Sequence, residues 1–338
     1  METRKLQEVG GGTFTVSIPK GWATNHDLEV GMELQLYTHR DGSVLIRSSN
    51  ADVNCLDEAT VDFDGGGTEA VKRAVRTAHA VGFETITLRR VGTFSDAERK
   101  AVRSAVRGLV GTNILSESDA EITIRHLLDT SSVSVCQSIV QLQYVVVSLL
   151  RDATAAFVDA ADTHARIRDR ADEARRSAET VTRHFSRSLV SHAELDALGV
   201  SRPELFAYYA IARRLETVAD QAVQIASTGE KLPEPPADEV ATNVCSVADD
   251  VAGTVDDTVT AVLDKDMTKA QRARSQCDDA VEGIETVERR LYDESVGSVP
   301  TAVALSNVLS HLQRAADCGR SMADTAARTA IRAENIDT

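Results

Sequence analysis

The pattern of hydrophobic and polar positions changes character twice along the chain. In residues 1–49, short runs of alternating apolar and polar residues are broken by glycines, a pattern typical of β-strands. In residues 56–128, similar strands alternate with helical segments. From residue 131 onward, apolar residues recur every three or four positions, which indicates long amphipathic helices. The pattern predicts a multidomain, mainly α protein with a β domain first, a small α/β domain in the middle and helical bundles at the end.

Glycine and proline punctuate the first 49 residues. The predicted strands are residues 4–9, 13–18, 33–37 and 44–47. Gly10, Gly11 and Gly12 turn the first strand into the second, Pro19 opens a short helical turn, and Asp41-Gly42 closes a hairpin. A unit of about 50 residues buries little apolar surface by itself. We therefore expect two chains to share one core here, which makes the protein a homodimer.

Residues 56–128 read as a β-α-β-α-β-β domain. Its strands are predicted at residues 56–63, 83–89, 113–115 and 121–126, and its helices end near Val81 and Val110. Ser95 and Glu98 form a capping-box pattern at the start of the second helix. The run of glycines at 65–67 could cradle an anion on backbone N–H groups. Since the lysine and hydroxyl residue of a P-loop are absent, the glycines are interpreted as a plain turn.

The apolar spacing in the rest of the chain predicts six helices. They are expected at about residues 131–162, 165–195, 201–229, 237–264, 267–295 and 298–334. The proline-rich stretch 231–236 lies between the third and the fourth helix and is interpreted as a hinge. This organisation divides the helical part into two three-helix bundles, residues 131–230 and 237–335.

The two bundles carry an internal repeat. Residues 215–226 overlay on residues 312–323 at a spacing of 97, with Leu, Ala and Asp in matching places and Gln313 where the first copy has Glu216. A second echo, residues 179–183 against 285–289, has a spacing of 106. Loop length can absorb the difference between the two spacings. The sequence therefore predicts that a helical unit of about a hundred residues was duplicated.

Two carboxylates mark the edge of the apolar stripe in the first copy. Glu216 and Asp220 are four residues apart, so they project side by side from one helix. In an isolated helix such a pair is repulsive by about 0.2–0.5 kcal/mol. A positive group must offset that repulsion. Arg213 and Arg214 are one source of positive charge, and a bound metal cation is the other.

The motif Leu215-Glu216-x-x-Ala219-Asp220-x-Ala222-x-x-Ile225-Ala226 and its repeat resemble the PhoU family of phosphate-uptake regulators. The resemblance covers residues 131–335 and implies two similar three-helix bundles whose acidic motifs bind metal ions. It implies a first site at Glu216 and Asp220 with help from Glu179, and a weaker second site at Asp317 and Glu285. Carboxylates suit Mg²⁺, Ca²⁺, Mn²⁺ or iron. The alternative is that these acids only pair with Arg213, Arg214 or Arg183.

The first 49 residues resemble the AbrB/MazE (SpoVT-AbrB) swapped-hairpin domain in the order of their motifs. The motifs are Arg4-Lys5, residues 10–20, Trp22, residues 28–34 and residues 41–44. The resemblance implies that two chains interleave their hairpins and that basic residues on one face contact DNA. The candidate contacts are Arg4, Lys5, Lys20, Arg40 and Arg47. These are fewer basic residues than the family carries, so the alternative is a domain that serves dimerisation only.

Composition adds charge and compartment to this picture. The formal net charge is −15, and only seven of the 37 basic residues are lysine. An acidic, lysine-poor surface is typical of proteins from extreme halophiles; drift in a GC-rich genome is the alternative. The resemblance to the two families implies an archaeal, haloarchaeal fusion type. The five cysteines are scattered and are interpreted as reduced thiols. With no signal peptide, and no apolar run longer than residues 139–150, we expect a cytoplasmic protein without membrane insertion.

The sequence contains none of the catalytic motifs that would indicate an enzyme. It lacks G-x-S-x-G, H-E-x-x-H, Walker A and G-x-G-x-x-G patterns, and its eight histidines are dispersed, with His184 expected at a helix edge or the surface. Two functions remain. One is a phosphate-responsive, DNA-binding regulator of phosphate-uptake genes. The other is a scaffold that binds the ATPase of a phosphate ABC transporter, or a sensor protein, and uses its first domain only to dimerise.

Overall fold

The computed structural model describes residues 3–38, 42–47, 55–159, 163–232, 235–293 and 298–335. The chain divides into two compact units, Met1–Cys55 and Leu56–Thr338. Ten α-helices and eight strands lie in the described residues. The expectation of a mainly helical protein with small sheets at the N-terminus and in the middle is confirmed.

The N-terminal unit consists of two separate hairpins around a short helix. Strands β1 (Gln7–Val9) and β2 (Thr13–Thr15) pair antiparallel, as do β3 (Gln35–Thr38) and β4 (Val44–Arg47). Helix α1 (Lys20–Asn25) lies between the hairpins in the chain. The first turn uses Gly10 and Gly11 at φ of 67° and 75°, in the left-handed region that favours glycine. The predicted order of elements is present; the first three strands are shorter than expected, and the fourth has the predicted bounds.

No described residue of the N-terminal unit is buried. Large apolar side chains that would normally form a core are open to solvent instead. The most exposed are Leu6, Val9, Phe14, Val16, Val30, Leu36 and Val44, each more than half exposed. Within a single chain, the described part of this unit therefore lacks a hydrophobic core.

The second unit begins with a four-stranded sheet covered by two helices. Its elements are β5 (Glu58–Phe63), α2 (Gly67–Val81), β6 (Thr85–Arg90), α3 (Asp96–Arg107), β7 (Thr112–Glu117) and β8 (Glu121–His126). The strand order is β5-β6-β8-β7, with β5 and β6 parallel and the other pairs antiparallel. Alternate residues of the central strands, such as Leu88 and Ile122, are fully buried with Val71, Val75 and Val102 of the helices. The α/β pattern read from the sequence is present.

Local chemistry explains where the two helices of this sheet begin. Gly66 precedes α2 at φ of 101°, and a Cβ there would lie 2.7 Å from the Cβ of Ala70. Only glycine fits such a position, so the turn itself accounts for the glycine. At α3, Ser95 Oγ accepts from the Glu98 N–H at 3.3 Å, and the Glu98 carboxylate accepts from the Ser95 N–H at 2.9 Å. The predicted capping box is confirmed.

Seven helices follow. A 3₁₀ turn at Thr130–Ser132 leads into α4 (Val135–Val158), α5 (His164–Ser188), α6 (His192–Leu198), α7 (Arg202–Gly229), α8 (Asp238–Asp264), α9 (Met267–Asp293) and α10 (Val299–Asn335). The helix predicted for residues 165–195 is wrong at its end. The chain leaves α5 after Ser188 and starts the short helix α6, which brings the buried Glu194 back to His184 and Arg187 of α5.

The buried positions repeat between the first and second set of long helices. In α7 and α10 the spacing is 97, as in Leu215 and Leu312 or Ile225 and Met322. In α5 and α9 it is 106, as in Ala174 and Ala280. Every buried residue of α8 has a buried counterpart in α4 at a spacing of 105, from Val244 and Ile139 to Val262 and Phe157, although the buried Val145 of α4 corresponds to the exposed Asp250. The same faces of equivalent helices therefore point inward in both halves.

One continuous core runs through both sets of helices. Its buried residues extend from Val135 to Ala326 without separating into two clusters. Helix α4 packs against α8, and α7 packs against α10, so contacts across the two halves involve two of the three helices of each. The stretch at 231–236, of which Pro233 and Glu234 lie outside the described residues, therefore joins halves of one body and is not a hinge between independent bundles. None of the described helices combines the length and apolar character that crossing a membrane requires.

Candidate functional site

The acidic residues singled out from the sequence lie on neighbouring helices of the first bundle. Glu216 and Asp220 belong to α7, and Glu179 belongs to α5, which packs against α7. The Glu216 side chain is largely buried, with 16% exposed, whereas half of Asp220 is open to solvent. We call Glu179, Glu216, Asp220 and Asp172 the acidic cluster.

Arg175 of α5 lies within the acidic cluster, and sequence reasoning missed it. Its guanidinium contacts Asp172 at 2.7 Å and Asp220 at 2.9 Å, and its Nε lies 3.7 Å from a Glu216 oxygen. Arg213 also pairs with Glu216, as the sequence suggested. The i,i+3 spacing of Asp172 and Arg175 was the available signal, but only the packing of α5 against α7 directs that arginine to Asp220.

Burial gives Glu179 an unusually high pKa. Removal from water raises its pKa to about 7, and the neighbouring charge of Glu216 adds to the rise, against the opposing effect of Arg76 on α2. Burial also raises the pKa of Glu216. Within the described residues, Glu179 has no hydrogen-bond or ion-pair partner. At neutral pH this carboxylate is therefore divided between its charged and its protonated form.

The second bundle keeps part of this arrangement with a different arginine. Asp278 and Asp317 occupy the positions of Asp172 and Asp220, at spacings of 106 and 97. Arg320 of α10 joins them at 2.8 and 3.3 Å. Glu285, predicted as a metal ligand, is exposed, with no side-chain partner in the described part of the chain. The equivalent aspartates are retained while the neutralising arginine comes from the other helix.

The donor set at the first site is chemically suited to a hard divalent ion, since its atoms are carboxylate oxygens. Arg175 nevertheless occupies the position that a cation would take between Asp220 and Asp172. Among the residues that the structure describes, no group of three or more His, Cys, Asp or Glu side chains is arranged to hold a metal ion. Arg175 would therefore have to turn away before a metal could bind.

The five basic residues proposed for DNA contact are described to different extents. Arg4 and Lys5 precede β1 and are exposed, and the exposed Lys20 is the first residue of α1. Arg47 ends β4, but its side chain lies outside what is described, and Arg40 lies outside the described residues altogether. Trp22 stacks on His26 with ring centroids 4.6 Å apart and is 41% exposed, so it does not anchor a core within one chain.

The histidines show where sequence reasoning was incomplete. His184 was expected at the surface or a helix edge but is buried, with its Nδ1 2.6 Å from Glu194. His79 is also buried, and its pKa falls to about 2 because it is removed from water and lies near Arg183. His79 lies near Arg183, which is 104 residues away, and the partner of His184 is Glu194 on the separate helix α6, which the sequence pattern did not predict.

No protein-family model matches the chain, and a search of curated proteins found no relative. What the fold itself defines is a mainly helical body built from two equivalent halves, preceded by a small α/β sheet and by an N-terminal unit of two hairpins.

Proposed function

We propose that the protein is a phosphate-responsive regulator that binds DNA as a dimer through its N-terminal unit. The supporting observation is that none of the described residues of this unit is buried within one chain, although at least seven of them are large, mostly exposed apolar side chains. A second copy that interleaves its hairpins would cover them. This is the assembly that the resemblance to the AbrB/MazE domain implies, and in that domain the dimer forms the DNA-binding surface.

The helical body supports the regulatory part of the proposal. Its halves repeat in sequence and in the register of their buried residues, as the resemblance to the PhoU family implies. That family regulates phosphate uptake, so we assign the body a sensory role and the genes of phosphate uptake as the target. The protein would then act through binding equilibria and not through catalysis.

The DNA-binding step is tested in a gel shift with chromosomal fragments at the salt concentration of the host. Replacing both Arg4 and Lys5 with alanine should abolish retention of the bound fragment, because each residue contributes a phosphate or base contact. Arg272→Ala, an exposed arginine of α9, is the matched control and should retain the fragment. If the double variant retains the fragment as the wild type does, Arg4 and Lys5 do not form the DNA-binding surface.

A second candidate function is a scaffold that binds the ATPase of a phosphate transporter or a sensor protein, with the N-terminal unit used only for dimerisation. The observation in its favour is charge: residues 1–50 hold five Lys and Arg against six Asp and Glu. Such a unit attracts DNA only weakly at long range. If no chromosomal fragment is retained while the chain remains dimeric, the scaffold is the better description.

We also propose that Glu179, Glu216 and Asp220 bind a divalent ion, Mg²⁺, Ca²⁺, Mn²⁺ or iron, in competition with Arg175. The supporting observations are that Arg175 contacts both Glu216 and Asp220, and that burial and the charge of Glu216 raise the pKa of Glu179. Arg175→Gln should bind Mn²⁺ more tightly than the wild type, because the competing cation is gone. Glu216→Gln with Asp220→Asn should bind less. The second set, Glu285 and Asp317, should contribute little because Gln313 replaces a carboxylate.

Metal analysis after gentle purification and calorimetric titration with Mn²⁺ measure these differences. Affinity should also rise between pH 6 and 8, since Glu179 must lose its proton to act as a ligand. Equal metal content in the wild type and in the carboxylate double variant would reduce the acidic cluster to a network of ion pairs.

A further inference from the structure

A cavity of about 250 Å³ lies between the α/β sheet and the first helical bundle. It is distinct from the acidic cluster and opens beside the end of β8 and the C-terminal part of α5. Its charged and titratable lining residues are Glu84, Arg125, His126, Arg183, His184 and Arg187. Asp129 also reaches it; its carboxylate accepts the Ser131 N–H at 2.9 Å, which holds its pKa below the usual range, so Asp129 adds one negative charge beside the three arginines.

Arg183 is the unusual residue of this cavity. Its side chain comes from α5 and is buried, with 1% of the residue exposed. One nitrogen, Nη1, donates to the carbonyls of His79 at 2.8 Å and Phe83 at 3.0 Å. The other two, Nε and Nη2, have no hydrogen-bond partner among the residues that the structure describes. A buried cation whose donors are unsatisfied is costly, and an anionic partner removes that cost.

The neighbouring acids are already engaged elsewhere. Glu194 lies 2.6 Å from His184 Nδ1 and 2.9 Å from Arg187 Nε. Burial would raise the pKa of Glu194, but these two bonds outweigh it and hold the pKa below its usual range. Glu84 pairs with Arg187 at 3.4 Å. No carboxylate in the described chain forms an ion pair with Arg183.

The cavity presents positive charge at neutral pH through its arginines. Burial lowers the pKa of Arg183 to about 10, so the guanidinium stays protonated. Burial and the charge of Arg183 lower the pKa of His126 to about 4, so this imidazole is neutral and adds no charge. Arg125, at the exposed end of β8, forms no ion pair within the described residues. Arg125 and Arg183 are thus two cations at one cavity without a carboxylate partner.

A structural role accounts for only part of this arrangement. Arg183 Nη1 and Arg187 Nη1 donate to carbonyls at and just after the C-terminus of α2, where cations are favourable. That role uses one end of each guanidinium and leaves Nε and Nη2 of Arg183 without a hydrogen-bond partner among the described residues. The fork of a guanidinium matches two oxygens of a carboxylate or phosphate at once, and this is the part of Arg183 that is unsatisfied.

The second bundle supplies an internal comparison. Arg289 is the equivalent of Arg183 at the spacing of 106. It is exposed, and its donors stay within its own helix, with Nε to the Glu285 carbonyl at 3.3 Å and Nη2 to Thr286 Oγ1 at 3.2 Å. The repeated arginine is therefore buried and unsatisfied only in the half that the α/β sheet covers.

We propose that this cavity binds a small tetrahedral oxyanion, of the size and charge of inorganic phosphate, held by Arg183 and Arg125 where the sheet meets the first bundle. The cavity holds such an ion with room for water, since one water takes about 30 Å³. The oxyanion site stands on this geometry, and its assignment to phosphate rests on the proposed function. Because the sheet and the bundle both contribute, occupancy would fix one against the other.

The experiment is calorimetric titration of the full-length protein with inorganic phosphate at constant ionic strength. Arg183→Gln should abolish the binding heat, and the exposed Arg125→Gln should weaken affinity at least fivefold without affecting folding. Arg289→Gln is the matched control and should bind like the wild type. Circular dichroism checks that each variant is folded. If Arg183→Gln does not fold, the comparison of Arg125→Gln with Arg289→Gln tests the site. Absent binding, or equal binding by the Arg125 variant and the Arg289 control, would overturn the site.

Two further arms separate this site from the proposed function. Titration with sulfate tests the ion: a preference for phosphate supports the assignment, and equal or better binding of sulfate overturns it. A gel shift with and without phosphate tests the coupling. If phosphate binds but DNA retention does not change, the site stands and the phosphate response fails. If DNA is retained but phosphate does not bind, the site fails and DNA binding stands.

Discussion

At the scale of single residues, the two halves of the body differ more in their charges than in their buried apolar positions. Asp152 pairs with Arg170 in the first half. At the equivalent places the second half has Asp257 and Gln276, so the arginine is lost. A groove of about 330 Å³ forms there between α8 and α9, lined by Asp249, Asp250, Asp257 and Asp279. Apolar positions are held by the shared core, whereas charges at its edge are free to change.

Glu179 should make the stability of the second unit depend on pH. Its pKa is raised from 4.5 to about 7, so between these values the unfolded chain releases this proton first. The free energy of unfolding should therefore fall by about 1–3 kcal/mol as pH rises from 4.5 to 8. Urea unfolding at several pH values measures this change. Glu179→Gln should flatten the dependence, and Glu285→Gln, its exposed equivalent, should not; equal slopes in the two variants would contradict the assignment.

At the scale of elements, short-range signals set the helix starts and some helix ends, such as the left-handed Gly82 after α2, whereas side-chain contacts between helices accompany the end of α5. The capping box at Ser95 and the one at Ser201 both lie at the first turn of a helix, where sequence alone determines the geometry. The end of α5 is different. The chain turns after Ser188 although the apolar pattern continues, because Glu194 of α6 meets His184 and Arg187. The conformation in which α5 and α6 are separate helices joined by these side-chain bonds is therefore favoured over one continuous helix.

Removal of the Ser95 cap should destabilise α3 measurably. Ser95→Ala removes the acceptor for the Glu98 N–H and should lower the free energy of unfolding by about 1 kcal/mol. Ser104→Ala, at an exposed position inside the same helix, is the control and should be neutral or slightly stabilising, since alanine is the better helix former. Urea midpoints compare the two. A loss of the same size in both variants would mean that the hydroxyl at position 95 does not act as a cap.

At the scale of the whole molecule, the two units differ in how far they bury their apolar residues. The second unit has its own cores in the sheet and in the helical body. The described residues of the first unit form no such core within a chain. Exposed apolar surface of this extent marks a site of association. A second copy is a suitable partner, because it carries the same exposed apolar side chains on its own hairpins.

We therefore predict that self-association depends on the first unit. A chain that begins at Asp52 should sediment as a monomer, or associate far more weakly than the full-length protein. Phe14→Asp in the full-length chain should have the same effect, because it places a charge on the apolar surface. Tyr144→Asp, which alters an exposed aromatic residue of the helical body, should leave the dimer intact. A truncated chain that stays fully dimeric would place the interface in the body.

The sequence by itself determined the order of elements, the repeat and the helix starts. Strand alternation, the glycine turn at Gly66, the Ser95 cap and the apolar spacing of Leu215 to Ile225 are local, and neighbouring residues are enough to express them. The buried register of α10 followed from α7 for the same reason.

The tertiary structure alone decided which charges meet. Arg175 reaches Asp220, 45 residues away, and Arg183 reaches the carbonyl of His79, 104 residues away. Neither pairing has a signature in local spacing, because each depends on how α5 packs against α7 or against the sheet. Hydrophobic periodicity specifies a face of a helix but not the helix that will cover it. The positive cavity at Arg183 exists only because the sheet covers one of two equivalent arginines.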